Sequence, residues 1–123
     1  MGCGREPALR YYDAMNTISL ADFQAVELRI ATITAAAAHP NADRLVVLTI
    51  DLGGERRQLV AGIRAHYAPE DLIGRQIVVV ANLQPATLRG VESQGMLLAA
   101  SDGEGRLALV VPEKPVAAGA QVK

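Results

Sequence analysis

From residue 26 to residue 112 the chain is a series of short apolar runs, each closed by turn chemistry before it can become a long helix. The segment "VELRIATIT" (26–34) alternates Val26, Leu28 and Ile30 with Glu27, Arg29 and Ala31, the period-two pattern of a half-buried strand. "HPNADR" (39–44) is turn chemistry, and "LVVLTIDL" (45–52) then predicts a second strand that ends at Gly53-Gly54. Those glycines and Glu55 form a hairpin connection into a third strand, "RRQLVAG" (56–62). The pattern changes at "APEDLIGR" (68–75), where Pro69, Glu70 and Asp71 open a short helix and Gly74 stops it.

Further strands are expected at "QIVVVANL" (76–83), "MLLAA" (96–100) and "RLALVVP" (106–112), with "SDGEG" (101–105) as the turn between the last two. Ahead of the strands, "TISLADF" predicts a short helix with Ser19 as N-cap and Asp22 three residues on. Residues 1–19 have no clean period and are read as a loose or helical extension, with one domain over 20–123. Five or six strands with one helix between the third and fourth predict an all-β fold. The match is a five-stranded Greek-key barrel of the oligonucleotide/oligosaccharide-binding (OB) type, with a C-terminal extension. A β-sandwich is the rival, but it has no place for a single mid-chain helix.

Half of the residues are hydrophobic, yet there is one Phe and no Trp, so the core has to be aliphatic. No apolar run approaches the ~20 residues of a membrane span. The first residues carry Arg5 and Glu6 where a signal peptide needs an apolar stretch, so a cytoplasmic, non-membrane protein is expected. Cys3 stands alone and His39 and His66 are the two imidazoles, which leaves no metal cluster and no cofactor to expect.

A net charge of −1 argues against a general nucleic-acid glue. The charge is unevenly spread, however. Six Arg face four acids between Arg44 and Arg89, a balance of +2, whereas one Arg faces four acids between Glu92 and Glu113, a balance of −3. Ten of the twelve basic residues are Arg, whose planar fork suits phosphate.

Catalysis is not expected. Ser93 lies between glycines, but a nucleophile elbow needs glycine two residues before the serine, where Val91 stands. Stacking of single-stranded bases is disfavoured as well, because Tyr11, Tyr12, Phe23 and Tyr67 all lie outside the strands. Polar groups remain. Asn82, Arg89, Ser93, Gln94 and Met96 place two amides, a guanidinium, a hydroxyl and a thioether within fifteen residues, a set able to meet phosphate, 2′-hydroxyl and base edges. The same residues also fit a plain turn, with Ser93 as a cap and Met96 in the core.

Several stretches together resemble one family. "DFQAVELRIATI" (22–33), "HPNADRL" (39–45), "LVAGI" (59–63), "VVVANLQPATLRGVESQGMLLAA" (78–100) and "LVVPEKPVAAGAQVK" (109–123) are similar to the tRNA-binding domain at the C-terminus of many bacterial methionyl-tRNA synthetases. Its relatives include free-standing tRNA-binding proteins and the endothelial-monocyte-activating polypeptide domain. The resemblance implies an OB barrel, a homodimer, and binding of tRNA by shape rather than by anticodon, alone or with an aminoacyl-tRNA synthetase. Its motifs imply tRNA contacts at Asn41, Arg44, Asn82, Arg89, Ser93, Gln94 and Met96. Ala86 and Thr87 depart from the family, which often carries basic residues there. A secretion-associated chaperone branch shares the barrel but generally lacks the Asn-Ala-Asp turn and the Ser-Gln-Gly-Met corner. A dimerisation or docking module, using the apolar stretch 107–118, is the third reading.

Overall fold

A computed structural model describes residues 16–123. Most of the extension read as loose or helical, residues 1–15, lies outside them. Residues 16–19 have no regular structure, and Ser19 Oγ accepts the backbone N–H of Asp22 (3.0 Å) to cap helix α1 (Leu20–Gln24). The chain then runs through β1 (Leu28–Ala38), β2 (Val46–Asp51), β3 (Arg56–Ala61), helix α2 (Pro69–Leu72) and β4 (Gln76–Val80). Six short strands follow: β5 (Ala86–Leu88), β6 (Val91–Ser93), β7 (Met96–Leu97), β8 (Ala99–Ser101), β9 (Leu107–Leu109) and β10 (Gln121–Val122).

The main sheet has the order β3-β2-β1-β4-β7, antiparallel throughout, and it curls into a nearly closed five-stranded barrel. Strand β1 makes the curl possible. It pairs with β4 over Leu28–Thr32 and with β2 over Thr32–Ala38, with a register shift between Ile33 and Ala35 where the strand bends. Four alanines (35–38) carry β1 past the expected end at residue 34, because the ladder to β2 outweighs alanine's weak strand preference. The two-residue strand β10 pairs with Leu28 and Arg29 on the edge of β1 that β2 occupies further along, so the C-terminal extension returns to the barrel.

Ile33, Val46, Leu48, Ile50, Leu52, Leu59, Ile77 and Val79 fill the interior completely buried, the aliphatic core that the composition requires. Helix α2 adds the buried Leu72 to the same cluster. Its Pro69 sits in the first turn with Glu70 and Asp71, as the sequence pattern predicts.

Two expectations need correcting. The stretch before Met96 is not a bare polar turn: it contains the β5–β6 hairpin, whose strands are mostly exposed and so carry no apolar alternation to read. The strand expected over 96–100 is split into β7, which joins the barrel, and β8, which pairs with β9 in a separate two-stranded sheet.

Candidate functional site

Two connections meet at one end of the barrel: the β1–β2 loop (39–45) and the β5–β6 hairpin. His39 joins them. It is 3% exposed, its Nδ1 accepts the N–H of Asn41 (2.9 Å), and its Nε2 lies 3.0 Å from the carbonyl of Leu88. A backbone N–H aimed at Nδ1 leaves the ring proton on Nε2, which donates to Leu88. The imidazole therefore holds the loop against the hairpin.

Leu88 and Val91 pair directly, so the hairpin turns through Arg89 and Gly90 alone. A two-residue turn of this kind needs positive φ at both positions. Gly90 has φ 90°, and Arg89 has φ 52°, the one non-glycine residue with positive φ among those described. That backbone turns the guanidinium toward the loop, where Nη2 donates to the carbonyl of Asn41 at 3.1 Å. Asn41, Ala42, Asp43, Arg44, Leu45 and Arg89 line an open depression of about 430 Å³ between the two connections. Among the described residues, neither the Asn41 amide nor the Arg44 guanidinium has a hydrogen-bond or ion-pair partner.

The Ser-Gln-Gly corner does a different job. Ser93 is 4% exposed; its Oγ accepts the N–H of Val60 (3.0 Å) and donates to the carbonyl of Gly95 (2.9 Å). Gln94 exchanges bonds with Gln58: its N–H donates to the Gln58 carbonyl at 2.7 Å, and its Oε1 accepts the Gln58 N–H at 3.0 Å. Gln58 Nε2 adds a bond to the Glu92 carbonyl (2.8 Å). Arg57 reaches from β3 to the carbonyls of Ala81 and Gln94, and Glu55 holds its Nε at 2.7 Å. The same Arg57 contact keeps the Glu55 carboxyl below the usual carboxylate range. Side chains thus complete the barrel seam between β3 and residues 92–95, where a regular ladder is missing.

Gly95 has no alternative there. Its φ is 146°, and an added Cβ would lie 3.0 Å from the Val80 carbonyl oxygen and 3.2 Å from Leu59 Cδ2.

The expected contact residues therefore divide. Asn41, Arg44 and Arg89 come together in the depression, and Met96 presents a 48%-exposed side chain on β7. Gln94 is half-buried and keeps its Nε2 without a partner among the described residues. Ser93 is turned inward, with its proton committed to the Gly95 carbonyl. Asn82 is also occupied: Oδ1 accepts the Glu27 N–H (2.9 Å) and Nδ2 donates to the Ala25 carbonyl (2.7 Å), fastening the end of β4 to the α1–β1 connection. His39, Arg57 and Gln58 were missed by sequence reasoning. The partners through which they join separate parts of the fold lie 24 to 49 residues away, and no local spacing signals those contacts.

The arrangement pairs a guanidinium-rich cleft with a soft apolar side chain and offers no acid–base couple. Among the described residues, no three His, Cys, Asp or Glu side chains gather as a metal site. No helix among them is long and apolar enough to cross a membrane. In this barrel class the loop between the first two strands and the loop between the fourth and fifth are the usual oligonucleotide-binding elements. Here they correspond to 39–45 and to the 81–95 connection that carries the hairpin.

A model of the tRNA-binding domain (tRNA_bind) matches residues 28–121. The chain belongs to this family. The family match takes in the 39–45 loop, the β5–β6 hairpin and the whole seam. Over 109 residues the domain is 54% identical to a methionine–tRNA ligase of Pyrococcus furiosus, a match covering 89% of the chain but 15% of the ligase. A solved methionyl-tRNA-synthetase-related protein from Pyrococcus horikoshii superposes with TM-score 0.84 at 32% identity, covering 89% of the chain and 100% of that protein. The chaperone CsaA of Bacillus anthracis str. Ames superposes with TM-score 0.79 at 33% identity, covering 87% and 99%.

Proposed function

We propose that this tRNA-binding domain grips tRNA by shape, with the cleft between the 39–45 loop and the β5–β6 hairpin seated on the sugar–phosphate backbone. The observation that carries the reading is the convergence of Asn41, Arg44 and Arg89 at the two loops, with no acidic side chain among the described residues paired to either arginine. Guanidinium forks and an amide suit phosphate oxygens and 2′-hydroxyls, which every tRNA presents in the same places. The strands offer no aromatic platform for unstacked bases, so base sequence has little to hold on to. Met96 and the free Nε2 of Gln94 extend the contact surface along the seam, while Ser93 and Asn82 act behind it by fixing the backbone.

The domain has no catalytic role in this reading. It works in the cytoplasm, free-standing or beside an aminoacyl-tRNA synthetase, and it forms a homodimer. The exposed Val110, Val111 and Val116 of the C-terminal segment supply apolar surface for that contact. Sedimentation at micromolar concentration tests the dimer directly.

One observation favours a second reading. Ile18, Leu20, Phe23 and Val26 around α1, and Leu83 after β4, are exposed apolar side chains suited to an unfolded client peptide. Titration with unfractionated tRNA at about 50 and about 200 mM salt, with single-stranded DNA as control, separates the two. Each phosphate contact released across this fourfold range weakens binding by about 3.5-fold, so three contacts give roughly a 40-fold loss. Salt-steep binding selective for tRNA supports the cleft. No binding at low salt, together with capture of an unfolded peptide, would replace it with the chaperone reading.

A further inference from the structure

The cationic character of the cleft does not end with the two arginines that line it. The arginines among the described residues fall into two groups. Arg29 pairs with Glu27 (3.6 Å), Arg57 with Glu55 (2.7 Å), and Arg106 with Asp102 (2.6 Å) and Glu104 (3.2 Å). Arg56 faces Asp51, its register partner across the β2–β3 hairpin, and helps lower that carboxyl's pKa. Arg75 lies 5.5 Å over the Tyr67 ring and bonds the Asp71 carbonyl. Arg44, Arg64 and Arg89 remain with no carboxylate partner among the described residues.

Arg64 follows β3 at the loop end of the barrel. Its backbone N–H donates to the carbonyl of Arg44 (3.3 Å), which fixes the two residues side by side on adjacent strands of chain. Gly62 packs on the same loop, an added Cβ there lying 3.7 Å from Leu45 Cδ2. Like Arg44, Arg64 is exposed. The bonded backbones hold two exposed guanidiniums at the same end of the barrel, neither with a carboxylate partner among the described residues, so both are free to meet an anion.

We infer that Arg64 is a third phosphate-contacting residue of the tRNA face, seated beside Arg44 at the rim of the cleft. The assignment rests on the reading of that cleft as a tRNA site. It widens the footprint from the loop and hairpin to the connection after β3, so one backbone segment of tRNA meets three elements of the barrel at once.

The test compares tRNA affinity across about 50–200 mM salt for the unmodified protein, Arg64→Ala, Arg64→Gln and Arg56→Ala. Arg56 is the matched control. It is exposed and carries the same charge, but it stands at the other end of β3, five residues and roughly 17 Å from Ala61. Both Arg64 variants should melt like the unmodified protein, since no side-chain bond is lost. Each should reduce the slope of log affinity against log salt by about 0.9, the signature of one phosphate contact removed, whereas Arg56→Ala leaves the slope unchanged. An unchanged slope in both Arg64 variants overturns the assignment while leaving the cleft itself standing. Equal losses in Arg56→Ala and Arg64→Ala overturn it too, by showing an effect of overall charge. Failure of the unmodified protein to bind tRNA at about 50 mM salt overturns the cleft's function, and this assignment with it.

Discussion

Arg89 sits where the backbone favours another residue, and replacing it with Asn should separate folding from binding. The two-residue turn requires positive φ at Arg89 (52°) and Gly90 (90°). An ordinary side chain pays roughly 1–2 kcal/mol for the left-handed conformation, a cost that Asn largely escapes. Against that stands one exposed bond, from Nη2 to the Asn41 carbonyl, worth about 0.5 kcal/mol at a solvated site. The balance favours Arg89→Asn by about 0.5–1.5 kcal/mol, a rise of roughly 2–9 °C in Tm for a domain of this size. Binding should move the other way. Loss of one phosphate contact lowers tRNA affinity several-fold at about 0.1 M salt and cuts the salt slope by about 0.9. Differential scanning fluorimetry and anisotropy titration on the same preparation read both effects. A drop in Tm of more than a few degrees would refute the strain reasoning, since Arg89 would then stabilise the turn it occupies. A stable variant with unchanged affinity would remove Arg89 from the tRNA face.

The seam makes Ser93→Ala a folding lesion. The Val60 N–H loses its buried acceptor, which should cost about 1–3 kcal/mol in urea unfolding, while the salt slope of tRNA binding stays that of the unmodified protein. His39→Phe keeps a ring in the same space but frees the Asn41 N–H and the Leu88 carbonyl together. It should loosen the 39–45 loop against the hairpin, seen as faster amide exchange at Asn41 and weaker tRNA binding. Asp51 reports on acid stability. The N–H groups of Gly54 and Gly53 on its carboxylate, with Arg56 nearby, hold its pKa below the usual range. A depressed folded-state pKa means that the stabilisation is complete above the ordinary carboxylate range and is lost as pH falls through the depressed value. The Tm gap between the unmodified protein and Asp51→Asn should therefore be constant at neutral pH and close in strong acid.

How much of this could be read in advance depended on whether the signal was local. The Gly53-Gly54 break and the Pro69-Glu70-Asp71 opening of α2 each act within a few residues, and each is where the pattern places it; the alternation in 26–34 finds β1 but not its inward face, because Ala31 and Ile33 reach the core while Val26 is exposed. The β5–β6 hairpin carried no such signal. Its residues are mostly exposed, so hydrophobic periodicity is silent there, and Arg89 takes a conformation for which a sequence reader expects Asn or Gly. Strand β10 exists only because β1 leaves an edge unpaired at Leu28 and Arg29, more than ninety residues earlier.

The candidate site follows the same division. Residue types and motif spacing by themselves determined the barrel class, the aliphatic core, and the two loops richest in polar and cationic groups. Tertiary structure decided which of those groups keep hydrogen-bonding capacity to spare. Ser93 and Asn82 belong to the motif as fully as Arg44 and Arg89 do, yet the first two are drawn into bonds with Val60, Gly95, Glu27 and Ala25. The physical reason is that a strand or loop with unpaired backbone groups takes the nearest side-chain partner. Which partner is nearest depends on chain segments dozens of residues away, and those come together only when the barrel closes.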